Sequence, residues 1–330
     1  MISGTDFEKK QVLFVFASKG EKISFSNDNI VVRDSDGIII HQSTCYRLFQ
    51  VFIIGNVTLT SGIIQRAKKF GFAICLMTNT MRLYETIANN MEGNTILHKK
   101  QYSYDKNDIG KQIIYNKISN QKEAIILIRI KTENAKNTIR KIDGYLDKIQ
   151  KEKLELQGML GVEGSAARIY FKEVFSSTEW IGRKPRIKRD YINSTLDVGY
   201  TILFNIIDAL LGIYGFDTYY GVLHKCYYMR KSLVCDLMEP IRPLIDLQVR
   251  KAINLGQCRE EDFEVIDKRY LLKWKCSPKY ISFLMEPLIK NKENIFIYIQ
   301  NYYRNFMREK PASEFLGFNL RGGGYATGKL

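Results

Sequence analysis

Acidic residues, histidine, proline and paired cysteines are all scarce in this chain of 330 residues. Six prolines leave no long proline-rich linker, and 45% hydrophobic with 26% charged residues excludes wholesale disorder or a fibrous repeat. The cysteines are Cys45, Cys75, Cys226, Cys235, Cys258 and Cys276, and none forms C-x-x-C. That spacing argues against a structural zinc site. The first residues, MISGTDFEKKQ, lack a basic segment followed by an apolar one, so no secretion signal is expected. The thiols are therefore expected to be reduced and mostly buried, in a prokaryotic cytosol. The notable uncharged run, 48–65, carries Asn56, Thr58, Thr60, Ser61 and two glycines, a poor membrane span.

What the chain has in excess is positive charge. Lys plus Arg is 50 against 35 Asp plus Glu, a net +15. Residues 1–92 carry a net +2 and residues 93–330 a net +13. Such a block suggests a polyanionic partner, because each neutralised phosphate releases counterions. A merely basic, soluble surface is the alternative.

The texture also divides near residue 92. Before it, 12–16, 22–26, 29–33, 38–40, 46–54 and 72–77 read as strands, with turns at Asn27-Asp28 and at 34–37. Residues 61–70 read as a short helix. A sandwich-like, two-sheet domain is expected. A linker falls near 91–99, and the rest reads as helix: 108–119, 124–130, 132–160 and 294–308, with a helix-start box at Ser194 and Asp197. The apolar stripe that follows the box stops at 212–215, and the tail from about 311 is expected to be mobile. The fold class is thus α+β, a strand domain (1–92) followed by an all-α domain (93–330).

Chemistry-bearing residues are few. Among the three histidines, His41 ends a strand and His98 sits beside two lysines, which suits structural or surface roles. His224 follows the loop 215–221, and twelve residues later come Asp236 and Glu239. Carboxylates at i and i+3 share a helix face, and a histidine with carboxylates from separate helices can hold a divalent metal. Salt bridges to Arg230, Lys231 and Arg242 explain the same acids, and spacing alone favours them over a metal site. Pro240 requires that a helix start or kink there. Glu163 lies between two glycines, in a segment of small residues that allows close helix approach. Arg183, Lys184, Arg186, Lys188 and Arg189 place five cations in seven residues, suited to phosphate contact. Arg168 and Lys231 flank the acids and are further candidates for phosphate contact. Tyr170 and Tyr200 are lesser candidates for touching DNA.

Three strings, GVEGSAARIYF (161–171), IGRKPRIKRDYINSTLDVGYTILF (181–204) and GVLHKCYYMRKSLVCDLMEPIRPLID (221–246), closely resemble the CRISPR-associated endonuclease and integrase family Cas1, in its order and spacing. The resemblance covers 160–250 strongly and extends loosely to NDNIVV, HQSTCYRLF and LTSGIIQRAKKFG in the strand domain. It implies Mg2+ or Mn2+ held by Glu163, His224 and Glu239, with Asp236 an accessory catalytic acid. The nitrogen ligand tilts preference towards Mn2+. It also implies a homodimer joined through residues 1–92, double-stranded DNA partners (a spacer precursor and the CRISPR array), and the small companion subunit Cas2. The implied reaction is integration, in which a DNA 3′-hydroxyl attacks a phosphodiester at the repeat boundary. Hydrolysis of branched DNA and a non-catalytic DNA-binding scaffold are the alternatives. An RNase-H-like nuclease is disfavoured, because its acids would need strands where this chain reads as helix.

Overall fold

The computed structural model describes all residues except 1–3, 18–20, 57, 58, 60, 88–93, 129–131, 181, 186, 225, 226 and 322–330. After a short helix α1 (Gly4–Glu8) come β1 (Gln11–Ala17), β2 (Lys22–Ser26), β3 (Asn29–Arg33), β4 (Ile39–Thr44), β5 (Leu48–Gly55), helix α2 (Ser61–Phe70), β6 (Ala73–Met77) and β7 (Leu83–Ile87). They form two sheets, as the strand-and-turn pattern predicts. One has the order β1-β5-β6-β7, parallel except for β7; the other is the antiparallel β2-β3-β4. The β2–β3 turn falls on Asn27 and Asp28, both at positive φ (48° and 58°), the primed turn that matches strand twist.

Every residue of β5 is buried, because β5 has a core on each face. Val51 and Ile53 pack with Ile30, Val32, Ile63 and Ala67 under the second sheet and α2. Phe49, Phe52 and Ile54 belong to the core of the helical part. The larger sheet is therefore a shared wall. Gln50 fastens it, its Nε2 donating to the Asn205 carbonyl (3.0 Å).

The helical part comprises α3 (Thr95–Ser103), α4 (Asp108–Leu127), α5 (Glu133–Lys151), α6 (Leu156–Val174), α7 (Tyr191–Tyr214), α8 (Ser232–Met238), α9 (Arg242–Asn254), α10 (Ser277–Lys290) and α11 (Lys292–Met307). Helix α7 is long and apolar enough to cross a membrane (mean hydropathy 1.6), but 78% of its most apolar window is buried within the protein. It packs against α8, α9, α10 and α11 as the central core helix.

Several expectations need correction. Helix α7 starts at Tyr191, not at Ser194. Asp190 caps it, accepting from the Asn193 amide at 2.7 Å, and Ser194, one turn inside, donates instead to the Tyr270 carbonyl. The C-terminal stop at Gly215 (φ 75°) is as expected. The expected linker at 91–99 lies outside the described residues at 91–93; from 95 on it is α3, held by Asn94 to the Tyr214 carbonyl (2.9 Å) and by His98 to that of Gly215. The segments 108–119 and 124–130 are one helix up to Leu127, whereas 132–160 is split between α5 and α6. A hairpin, β8 (Phe263–Ile266) and β9 (Arg269–Leu272), interrupts the helical run.

The tail is not loose as far as Leu320. Phe315, Phe318 and Leu320 are buried. The Asn116 side chain exchanges two hydrogen bonds with the Phe318 backbone (3.0 and 2.8 Å), and Asn120 adds a third (2.9 Å). Their polarity hid this in the sequence, because buried amides on α4 read as surface. Replacing Phe318 by Ala should cost about 3 kcal/mol of unfolding free energy in urea titrations; a loss below about 0.5 kcal/mol would mean a merely surface tail.

Tyr170 on α6 is fully buried, which takes it out of reach of DNA; Tyr200 on α7 is largely buried but still lines the surface beside Arg183 and Arg242. Both hydroxyls donate to Asp246 on α9, Tyr170 at 2.9 Å. Burial pushes the Asp246 carboxyl up to about 6, against Tyr200, Tyr170, Arg242 and Arg183, which all favour its charged form. A folded value above the unfolded one stabilises the fold at low pH, and the gain is lost as pH rises through about 6. Between about pH 4 and about pH 7 the protein should therefore lose about 3 kcal/mol relative to Asp246→Asn, which cannot ionise. Parallel pH profiles of the two in urea unfolding would refute this.

Candidate functional site

Four elements converge on one small cavity of about 30 Å3. Helix α6 brings Glu163, and the loop before α8 brings His224. The turn after α8 brings Glu239, and α4 brings Lys117. The kink expected at Pro240 is real: α8 stops at Met238, a 3-10 turn spans Glu239–Ile241, and α9 restarts at Arg242. Asn120 on α4 holds this turn by donating to the Pro240 carbonyl (2.8 Å).

The backbone between the two acids is still helical, yet their side chains have different partners. Glu239 points into the cavity. Asp236 turns back into the protein, fully buried, and its carboxylate collects the loop. The amides of Val222 (2.7 Å), Leu223 (2.9 Å) and His224 (3.0 Å) donate to it, and its Oδ1 lies 2.5 Å from His224 Nδ1. Asp236 thus orients the imidazole and does not line the cavity. Gly221 makes room for this: a Cβ there would meet Asp236 Oδ2 at 2.7 Å and Ser232 Cβ at 2.8 Å.

The Lys117 ammonium stands between the two glutamates, paired with Glu163 Oε1 and 2.5 Å from Glu239 Oε2. Arg242 Nη2 holds Glu239 Oε1 at 3.0 Å and the guanidinium lies over the Tyr200 ring. Burial would raise the Glu239 carboxyl, but Arg242 and Lys117 outweigh it and hold it near about 2. Burial likewise works against Lys117, yet Glu239 and Glu163 raise its ammonium above the ordinary lysine value. So the salt-bridge reading of Glu239 is realised through Arg242, which the sequence named, and Lys117, which it did not. Among the described residues no three acids, histidines or cysteines form a ready-made metal cage.

The donor set nonetheless fits a divalent ion. Two carboxylates already converge on one cation. Glu239 Oε2, buried, has an ion pair but no hydrogen-bond donor. With Nδ1 committed to Asp236, His224 has Nε2 left as a ligand atom.

Two grooves meet at Lys117 and Glu163. The larger, about 1130 Å3, is walled by Arg82, Lys188, Arg230 and Arg269 and reaches His224 and Glu239. The smaller, about 620 Å3, carries Arg168, Lys172 and Lys184 beside Trp180. The expected phosphate contacts fare unequally. Arg168 is exposed on the smaller groove and Lys188 lines the larger. Arg183 is spent on Asp197 (2.5 Å) and Asn193, and Lys231 on Asp208 (2.6 Å). Arg186 lies outside the described residues. Arg82 and Arg269 escaped the sequence reading because they come singly from separate elements, with no local cluster to mark them, whereas Arg230 was read only as a salt-bridge partner of the acids.

The fold and these residues have counterparts. The family model described as "CRISPR associated protein Cas1" matches residues 14–285. The CRISPR-associated endonuclease Cas1 2 of Rhodospirillum rubrum is 27% identical over 270 residues, covering 76% of this chain and 78% of that protein. Among solved structures, a casposase bound to integration product superposes with a TM-score of 0.77 at 20% identity, over 97% of this chain and 96% of that one. A Cas6-RT-Cas1–Cas2 complex superposes with a TM-score of 0.78 at 23% identity. It covers 93% of this chain, which spans only 36% of that longer polypeptide. At such identities the superpositions speak for a common α+β fold, and the family match speaks for descent: this chain belongs to the CRISPR-associated Cas1 family.

Proposed function

We propose that this protein is the DNA-joining enzyme of CRISPR spacer acquisition, a divalent-metal-dependent strand transferase. The observation that carries the reading is the junction itself: two carboxylates and an oriented imidazole lie where two basic grooves meet. Joining two DNA segments calls for two such paths. The fold shared with a casposase bound to integration product supports the same reading.

Glu163, Glu239 and His224 Nε2 would hold Mg2+ or Mn2+. When bound, the ion supplies Lewis acidity at the scissile phosphoryl oxygen and neutralises charge developing there. The chain's own residues do the rest. Asp236 keeps the proton on His224 Nδ1 and fixes the ring, while the groove cations position phosphates. The nucleophile is the DNA's own 3′-hydroxyl. Its oxygen bonds to phosphorus at the repeat boundary as its proton passes to solvent, the P–O3′ bond of the target breaks, and the leaving 3′-oxygen takes a proton from solvent to become a new 3′-hydroxyl. No covalent protein intermediate is needed.

The assembly we propose is a homodimer joined through the strand domain and completed by Cas2, acting in the prokaryotic cytosol. Support for the dimer is the edge strand β4, where Ile38, Ile39 and Ile40 are exposed. Support for Cas2 is the complex whose Cas1 portion shares this fold.

Two experiments test the reading. His224→Ala should abolish strand transfer with the fold intact: it removes Nε2 and one hydrogen bond to Asp236, which keeps its three amide donors. Asp236→Ala should abolish it too, and in addition cost about 3 kcal/mol in urea unfolding, since three loop amides lose their buried acceptor. An active Asp236→Ala variant of unchanged stability would remove its positioning role. The second experiment separates joining from hydrolytic cleavage; the Rhodospirillum relative is named an endonuclease. Labelled donor DNA ending in 3′-dideoxynucleotides should bind a supercoiled target complex normally but transfer no label, while hydroxyl-ended donor transfers it. Equal cleavage with both donors, and no label in the plasmid, would establish hydrolysis instead.

A further inference from the structure

Without metal the cavity is already electrically balanced. Glu163 and Glu239 contribute two negative charges, and Lys117 and Arg242 two positive ones, all in direct contact. The Lys117 side chain is only 12% exposed, so its charge is poorly screened by water. We propose that Lys117 is an internal counter-cation that competes with the divalent metal for Glu163 and Glu239, so that metal and DNA load cooperatively. This inference rests on the metal-centre reading above.

The argument is one of charge and place. A divalent ion between the glutamates would bring the cluster to a net +2 while Lys117 and Arg242 remain. Loading is therefore disfavoured until an anion arrives. Lys117 and Glu163 line both grooves as well as the cavity, so the ammonium displaced from the carboxylates is beside either DNA path. A backbone phosphate there offsets the surplus charge and offers Lys117 a new partner. Because linkage is reciprocal, metal must tighten DNA binding by the factor by which DNA tightens metal binding. In the free protein the lysine keeps the two acids from repelling one another across the cavity.

Calorimetric titration of the full chain with Mn2+ alone tests this. Lys117→Met should bind Mn2+ at least about fivefold tighter than the unaltered protein. Lys117→Gln, which keeps a hydrogen-bond donor to the glutamates, should do the same and serves where the Met variant is too unstable. In both, Mn2+ should raise the melting temperature by more than it does in the unaltered protein. For the latter, fluorescence anisotropy with a 3′-dideoxy-ended duplex should show DNA binding at least about fivefold tighter in Mn2+ than in EDTA at equal ionic strength. Glu239→Gln is the control and should lose Mn2+ binding. If it does, but both Lys117 variants match the unaltered affinity within about twofold or bind more weakly, the competition is refuted while the metal centre stands. Mn2+ binding unaffected by Glu239→Gln would overturn the metal-centre reading and this proposal with it.

Discussion

Two carboxylates cannot share a water-poor cavity unless a cation stands between them, and much of this molecule is arranged around that requirement. Glu163 and Glu239 come from elements 76 positions apart, and neither helix supplies the cation that bridges them. Helix α4 does. The same helix positions the turn that aims Glu239, through Asn120 and the Pro240 carbonyl, and clamps the tail through Asn116 and Phe318. A polar face on α4 thus organises a site to which α4 contributes no ligand. The Asn116 and Asn120 amides and the Lys117 ammonium that do this are each paired, the condition under which buried polar groups specify a structure.

What was legible in the sequence follows the range of the interactions. The β2–β3 hairpin and α2 were readable because their signals are local: two turn residues, one amphipathic stretch. The α7 start was misread because Ser194 and Asp197 imitate a capping box, while the cap that forms, Asp190, lies one turn earlier. Strand β7 and the β8–β9 hairpin had weak patterns, since strands exposed on one side carry no continuous apolar run. The proposed ligand set was visible chiefly through family resemblance; spacing alone favoured a salt bridge over a metal. Lys117 was not visible at all. It is one of 50 basic residues, 46 positions before its nearer partner in sequence, and only packing gives it meaning.

Asp236 shows how neighbouring acids can take different roles. Spaced i and i+3, it and Glu239 look like a pair. Glu239, at the end of α8, faces the cavity, while Asp236, one turn earlier, faces the 222–224 loop. The result is a division of labour: one carboxylate free to meet a cation, one saturated by three amides and an imidazole. A carboxylate with its oxygens so engaged is poorly placed to bind metal, but well placed to hold a histidine tautomer.

The distribution of charge acquires a physical sense from the same geometry. The excess of basic residues lies mostly beyond residue 92, but the larger groove also draws Arg82 from the strand domain. That is possible because the two parts share the wall of β1, β5, β6 and β7 and one continuous core across it. Burial lowers the Lys188 ammonium below its ordinary value; Asp197 works against this, and Arg269 and Arg82 add to it. No salt bridge joins Lys188, Arg269 or Arg82 to an acid among the described residues. Asp197 and Asp267 offset part of the groove's positive charge, and a polyanion would relieve the rest. The cavity at its end is the opposite case, neutral as it stands. If the groove holds DNA as proposed, its walls gather the phosphates first, and only their arrival makes room, electrostatically, for a second positive charge between Glu163 and Glu239.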